Sequence, residues 1–360
     1  MRKIYMMPLL FLLFFVGFSQ QVIENPEKPL TKNAGRVIQL KEVMRITDTE
    51  GKYFFKGPIE VKVAEDGFIY VQESDQLYQF DARGKFLRNL YKKGQGPGEL
   101  NQSLDDVLLA EAEIILFSSQ KIVRLDRQGK LIEDFRPQGK LFRNLLGSCG
   151  GRFYLLSYDR GVYARDKSGL YEDNLKLEIV KNAREVTPTS YVFPFTISFQ
   201  IGEQGRRGTA WISRVLTASP EPRYVYLSHT PEYQVKLLDF EKNEIIGIFR
   251  RKYERVKLVR KTRNSLVMPE FSNDICRLLV HKDNLWAVTS TFDRKKGILV
   301  DVFNKDGKYL DAFYLPLTRI LTEGRTTYYA PMAVSGDFLF TIEVGDEGLI
   351  SVAKYEMIDK

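Results

Sequence analysis

One phrase returns five times along this chain: alternating β-branched and aromatic residues, an acidic or amide residue, a Gly-centred turn, then another apolar pair. It reads FIYVQESDQLYQFDARGKFL over Phe68–Leu87, EIILFSSQKIVRLDRQGKLI over Glu113–Ile132 and RFYLLSYDRGVYARDKSGLY over Arg152–Tyr171. Looser copies run over Tyr224–Ile246 and Asn284–Leu310. Such a repeat fixes architecture ahead of any single residue, because each unit can bury its apolar faces only against its neighbours. In the first copy Ile59–Val63, Phe68–Gln72, Gln76–Phe80 and Phe86–Tyr91 read as strands, with turns at Asp66-Gly67 and Ala82-Arg83-Gly84. Period-two alternation broken by Gly and Asp turns reads as repeated antiparallel sheet. Four strands in roughly 40–45 residues make one propeller blade.

From the Asp81 turn to Asp126 is 45 residues and on to Asp166 is 40, but the next intervals, to Asp239 and Asn304, are 73 and 65. The later blades therefore carry insertions. The expected fold is all-β: a six-bladed β-propeller of four-stranded antiparallel blades near 57–100, 101–139, 140–182, 190–256, 271–316 and 329–360. The last copy supplies three strands, Ala330–Val334, Phe338–Glu343 and Leu349–Tyr355. Arg36–Ile46 (RVIQLKEVMRI) is expected to add the fourth and close the ring, removing open sheet edges. The propeller domain thus spans 36–360, after a linker over 20–35.

Residues 1–19 read as an export signal. Arg2 and Lys3 precede the apolar run Leu9–Val16, and Gly17 and Ser19 are small residues at a processing site after Ser19. That run is shorter than the roughly 20 residues a spanning helix needs. The mature chain is expected to be monomeric and soluble in a periplasm or outside the cell. Of the two cysteines, Cys149 ends one strand and Cys276 begins another two blades on, so two free, mostly buried thiols are expected.

The loop Gly94-Gln95-Gly96-Pro97-Gly98-Glu99-Leu100 resembles the KGxGPGEF loop of bacterial exported six-bladed β-propellers related to NHL-repeat proteins. The basic stretch Gly247–Arg263, NLWAV at Asn284–Val288 and DVFNKDGKYLDAFYLP at Asp301–Pro316 are similar to the same family. The resemblance implies a propeller scaffold, export and binding roles, with no catalytic set attached. The chain departs from the pattern at Glu241-Lys242-Asn243-Glu244, where the turn glycine is missing, and lacks the lipid-attachment Cys of some relatives.

The Gly94–Gly98 loop is no phosphate cradle, because such a loop opens a helix and Leu104–Leu109 reads as a strand; an inter-blade crossover fits it better. Arg250–Arg263 holds eight basic residues against Glu254. It reads as a solvated outer strand, or as a band for an anionic partner. The insertion Thr187–Pro222 carries Arg206, Arg207 and Trp211 and is expected either to build a binding rim or to be a displaced strand. Tyr191, Phe193, Phe195 and Phe199 alternate as strand packing does. His229 and His281 sit in expected turns and read as surface residues. Asp105, Asp106, Asn273 and Asp274 lie near starts of innermost strands. They read as turn caps, with a lactonase-like calcium site as the alternative.

The sequence thus points to a non-catalytic binding or scaffold propeller without a cofactor. Its expected partner is a protein, peptide or glycan, anionic in one variant and not nucleic acid. The expected contact residues are Arg206, Arg207, Trp211, Arg250, Arg251, Lys252 and Arg255. The alternative is a calcium-dependent hydrolase or lyase acting at the channel mouth.

Overall fold

The turn phrase carries its own chemistry. Asp81 Oδ1 accepts the backbone N–H groups of Arg83 and Lys85, both at 2.9 Å, and Gly84 sits at φ +81°. Asp126 does the same for Gln128 and Lys130, with Gly129 at +82°. A short carboxylate or amide closing its own turn, followed by a residue free to enter the left-handed region, makes a tight reversal. At the fourth copy Asp239 accepts from Glu241 and Lys242, and Asn243 takes the glycine position at φ +55°. Asn tolerates that region better than other side chains, so the turn survives without its glycine.

The computed structural model describes residues 21–48, 51–158, 167–201, 207–211, 215–258, 269–317, 331–345 and 347–359; every regular element among them is a strand. The N-terminal segment holds β1 (Gln21–Asn25), β2 (Arg36–Val37) and β3 (Gln39–Ile46). The first sheet is β4 (Glu60–Val63), β5 (Ile69–Gln72), β6 (Leu77–Phe80) and β7 (Phe86–Asn89). The second is β8 (Asp106–Leu109), β9 (Glu113–Ser118), β10 (Lys121–Asp126) and β11 (Leu131–Phe135). The third runs β12 (Leu141–Cys149), β13 (Arg152–Tyr158), β14 (Gly169–Val180), β15 (Val186–Ile201) and β16 (Arg207–Trp211). The fourth is β17 (Leu216–Glu221), β18 (Tyr224–Ser228), β19 (Gln234–Asp239) and β20 (Glu244–Arg251), with β1 added outside in parallel. The fifth is β21 (Ile275–His281), β22 (Asn284–Asp293), β23 (Gly297–Phe303) and β24 (Tyr309–Leu315), with β2 outside, again parallel. The sixth is β25 (Met332–Ser335), β26 (Phe338–Val344) and β27 (Ile350–Ile358), followed by β3, antiparallel to β27 from Val352↔Ile46 to Ile358↔Gln39.

Middle strands such as β5 and β6 are buried at every position. Each sheet is sandwiched between neighbours, so both faces must be apolar. Six apolar clusters form, one between each consecutive pair of sheets. The one containing Ile46, Phe80, Phe340 and Ile342 joins the sixth sheet to the first.

Three expectations about boundaries are revised. Of Arg36–Ile46, expected whole as the fourth strand of the last blade, Arg36–Val37 pairs instead with β24 of the fifth sheet and only Gln39–Ile46 joins β27. Residues 190–201 and 207–211, expected in the fourth blade, belong to the third, in β15 of the β14–β15 hairpin and in β16. Phe193, Phe195, Ile197 and Phe199 are buried there, the first three in the cluster with Tyr154 and Phe240. Those three pack with Leu175 and Leu177 of β14, which holds the long strand on the existing sheet. The expected linker 20–35 contains β1, whose ladder pairs Gln21 with Gly247 and Asn25 with Arg251. Both cysteines are free, Cys276 buried and Cys149 half-buried.

Candidate functional site

Among the innermost strands, β4, β8, β12, β17, β21 and β25, charged groups on β4, β8 and β21 reach another sheet. Glu60 at the start of β4 pairs with Arg277 of β21, joining the first and fifth sheets in front of the sixth. Asp106 at the start of β8 accepts the backbone N–H of Leu145 in β12 and lies near Lys62 of β4. Burial pushes its carboxyl up to about 6 despite that lysine. Asp105 caps a turn, its Oδ2 accepting the Ser119 N–H at 2.6 Å. Asp274 is buried and accepts from Arg255 Nε at 3.1 Å, and burial lifts its carboxyl to about 6 against the arginine. Asp105 and Asp106 thus stand on the second sheet, Asn273 and Asp274 at the entry to the fifth. Among the described residues no three His, Cys, Asp or Glu side chains gather as a metal-holding group.

The glycine loop is pinned from the next blade. Lys121, 5% exposed, donates to the carbonyls of Gly96 (3.0 Å) and Glu99 (2.9 Å) and pairs with Asp134 at 2.6 Å. Asp134 also accepts the Gly98 N–H, and Glu99 accepts that of Gly96. A Cβ on Gly94 would stand 2.0 Å from the Glu99 carboxylate. The motif is therefore a staple between the first and second sheets. Nothing in its sequence pointed to Lys121 or Asp134, which lie a blade further on.

Among the described residues, each cation of the basic run meets an acid. Arg250 faces Glu24 at 3.4 Å, Lys252 faces Glu27 at 3.7 Å, and Lys257 faces Glu270 at 3.5 Å. Arg255 lies over the Phe271 ring as well as on Asp274. Arg251, expected to face a partner, points the other way. Its side chain is 7% exposed and donates from Nε and a terminal nitrogen to Asp301 Oδ2, at 2.8 and 2.7 Å. Tyr233 and Tyr309 donate their hydroxyls to the same carboxylate at 2.6 and 2.7 Å. The guanidinium also stands 4.8–5.2 Å from the ring centres of Tyr233, Tyr253 and Tyr309. Strand alternation gives Arg250 to the surface and Arg251 to the interior. The available signal was Asp301 itself, a carboxylate inside the apolar strand GILVDVF. Arg260, Lys261 and Arg263 lie outside the described residues.

Of the insertion residues, Arg207 and Trp211 are the first and last of β16, opposite Ile201 and Ile197; Arg206 lies outside the described residues. His229, expected at the surface, is 3% exposed. Its ring meets Phe193 edge-on at 5.0 Å and Nδ1 lies 3.2 Å from the Pro194 carbonyl, because β15 folds over that turn. Burial lowers its pKa to about 4. His281 is half-buried against Trp286. A groove of about 460 Å³ lies between the sixth and first sheets, lined by Val43, Met44, Arg83, Phe338 and Lys354 among others. Among the described residues no helix is long and apolar enough to cross a membrane.

A family described as 6-bladed beta-propeller matches residues 32–201. No curated protein matches the chain. Among solved structures, the chain is similar to a protein from Bacteroides fragilis named as an exported protein, with 12% identity, TM-score 0.54, and coverage of 94% of this chain and 100% of that one. It also matches the Pan2 WD40 domain of Neurospora crassa (10% identity, TM-score 0.45, 89% and 96% covered) and a streptogramin B lyase (9%, 0.44, 89% and 98%). Six sheets of its own and the family match agree: this chain is an all-β, six-bladed β-propeller.

Proposed function

We propose that this chain is an exported, monomeric binding or scaffold propeller of the NHL-related kind, working without catalysis or a resident cofactor. In this reading β3 closes the ring, and a protein, peptide or glycan is recognised at the rim and outer edge. Arg207 and Trp211 would serve it on the third blade, together with Arg206, and Arg250, Lys252 and Arg255 on the fourth, with Arg251 holding the strand that presents its neighbours; Arg206 lies outside the described residues. One observation carries the reading. Two acids at innermost strands are engaged in joining sheets, Glu60 with Arg277 and Asp274 with Arg255, which suits a rigid frame better than a reactive centre. Likeness to a protein named as exported supports the location.

The test pairs two measurements on the mature chain. Peptide and glycan arrays should give binding that Trp211→Ala or Arg207→Ser weakens at least tenfold without moving the melting temperature. A lactone and ester panel with and without calcium should show no turnover; calcium-dependent turnover would replace this reading with the hydrolase.

A further inference from the structure

Three outer sheet edges already carry a fifth strand: β16 on the third, β1 on the fourth and β2 on the fifth. Little apolar burial holds the one on the fourth. No residue of β1 is buried, and Val22 is 48% exposed. Only Ile23 packs, partly, against the neighbouring core. Attachment otherwise rests on the parallel ladder to Gly247–Arg251 and on polar side chains. Asn25 Nδ2 donates to the carbonyls of Arg250 (3.1 Å) and Gly307 (2.9 Å), and its Oδ1 accepts the Tyr309 N–H at 2.8 Å. Glu24 and Glu27 lie against Arg250 and Lys252 on the exposed surface. A strand with few buried apolar contacts opens at low cost compared with the core. Exposed ion pairs add little to hold it.

These features describe a recognition site with its ligand in place. The edge of β20 offers backbone groups, now taken up by β1, that any extended segment could pair with; two cations set the charge, and the slot at Gly307–Tyr309 reads one amide side chain. We infer that the outer edge of the fourth blade is a strand-accepting site for an extended acidic segment of a partner protein, added parallel to β20, and that residues 21–27 of this chain are its resident, displaceable occupant. Strand addition draws affinity from main-chain bonds and specificity from side-chain pockets, and here the specificity is an acid followed by Asn. The inference rests on the binding reading above and names its partner class.

The experiment uses the full mature chain and a fluorescein-labelled QVIENPE peptide read by anisotropy. A variant with Glu24→Ala, Asn25→Ala and Glu27→Ala loosens the resident strand and leaves the acceptor intact. It should bind the peptide at least tenfold more tightly than wild type. Arg250→Glu with Lys252→Glu should abolish that gain, and so should Lys in place of both peptide glutamates. A folded triple variant that binds no better than wild type, or a charge-reversed peptide that binds equally, overturns the proposal. Concentration-dependent dimerisation of the variant also overturns it, by assigning the edge to a second copy. Should the triple variant unfold, amide exchange of wild type decides. The Ile23–Asn25 amides should exchange at least a hundredfold faster than those of Val235–Leu238, and equal protection refutes a displaceable strand. Array binding that depends on Trp211 survives any of these failures, so the two readings fail separately.

Discussion

Replacing Arg251 by Met tests whether the basic run turns inward. In the native chain the Asp301 carboxylate is fully buried and receives two nitrogens from Arg251 and one hydroxyl each from Tyr233 and Tyr309. Methionine fills much of the volume but leaves that carboxylate buried with only its two hydroxyl donors. Breaking a buried pair from one side costs about 3–5 kcal/mol, since an uncompensated charge remains. The tyrosines retain part of the compensation, which places the loss near the lower figure, about 3 kcal/mol. Contact with three aromatic rings adds about 1–2 kcal/mol for a desolvated cation, so we expect about 4 kcal/mol in all. Arg251→Met with Asp301→Leu should recover most of it, because a buried pair exchanged for apolar groups is often near neutral. The assay is guanidinium unfolding of wild type, both single variants and the double, read as a shift of midpoint at constant slope. A single-variant loss below about 1 kcal/mol would match an exposed charge and refute the interior placement.

Lys121→Met should cost about 2–4 kcal/mol by leaving two carbonyls and a carboxylate without their donor, measured by the same unfolding. Burial would raise the Asp134 carboxyl, but Lys121 and the Gly98 N–H hold it below the usual value. Its share of stability is therefore present above about pH 4 and is lost as pH falls through the folded value, and the part that Lys121 supplies should be missing from the acid limb of Lys121→Met. Asp274 behaves oppositely: a folded carboxyl at about 6 binds a proton that the unfolded chain does not, so wild type should gain stability over Asp274→Asn as pH falls from 7 toward 5. His229, held neutral with a pKa near 4, should make wild type lose ground to His229→Leu as pH falls from 6.5 toward 4, both read by melting temperature. Gly307→Ala combines φ +78° with a Cβ 2.1 Å from the Phe249 ring and should cost about 2–4 kcal/mol, whereas Asn243→Gly should change unfolding by under about 1 kcal/mol.

The repeat made the sheets legible because a turn that closes on its own Asp or Asn is a local event, complete within five residues from Asp81 to Lys85. What escaped the sequence was non-local. The blade boundary after Val180 depends on whether the aromatic run of β15 finds Leu175 and Leu177 beside it or starts a new sheet, and both choices have the same period. His229 reads as a turn residue until β15 covers it, and Arg251 reads as one of eight cations until Asp301 arrives from the next blade. The contact residues expected from charge were chosen by density along the chain, whereas the five described cations of the basic run, from Arg250 to Lys257, are matched by acids brought from elsewhere: Glu24, Glu27, Glu270, Asp274 and Asp301.

The N-terminal segment has a kinetic consequence. Its contacts join residues separated by 225, 282 and 323 positions, from Asn25 to Arg250 and Gly307 and from Arg36 to Asp359. Loop closure over such spans is slow, and folding rate falls as contacts become less local. Residues 21–46 complete sheets whose other strands all lie beyond residue 215. Until Ile350–Ile358 has been delivered, β3 has no partner and the sixth sheet has no outer strand. The native topology is thus withheld from the nascent chain until nearly all of it is present, and a chain passed vectorially through a membrane would stay threadable for the same reason.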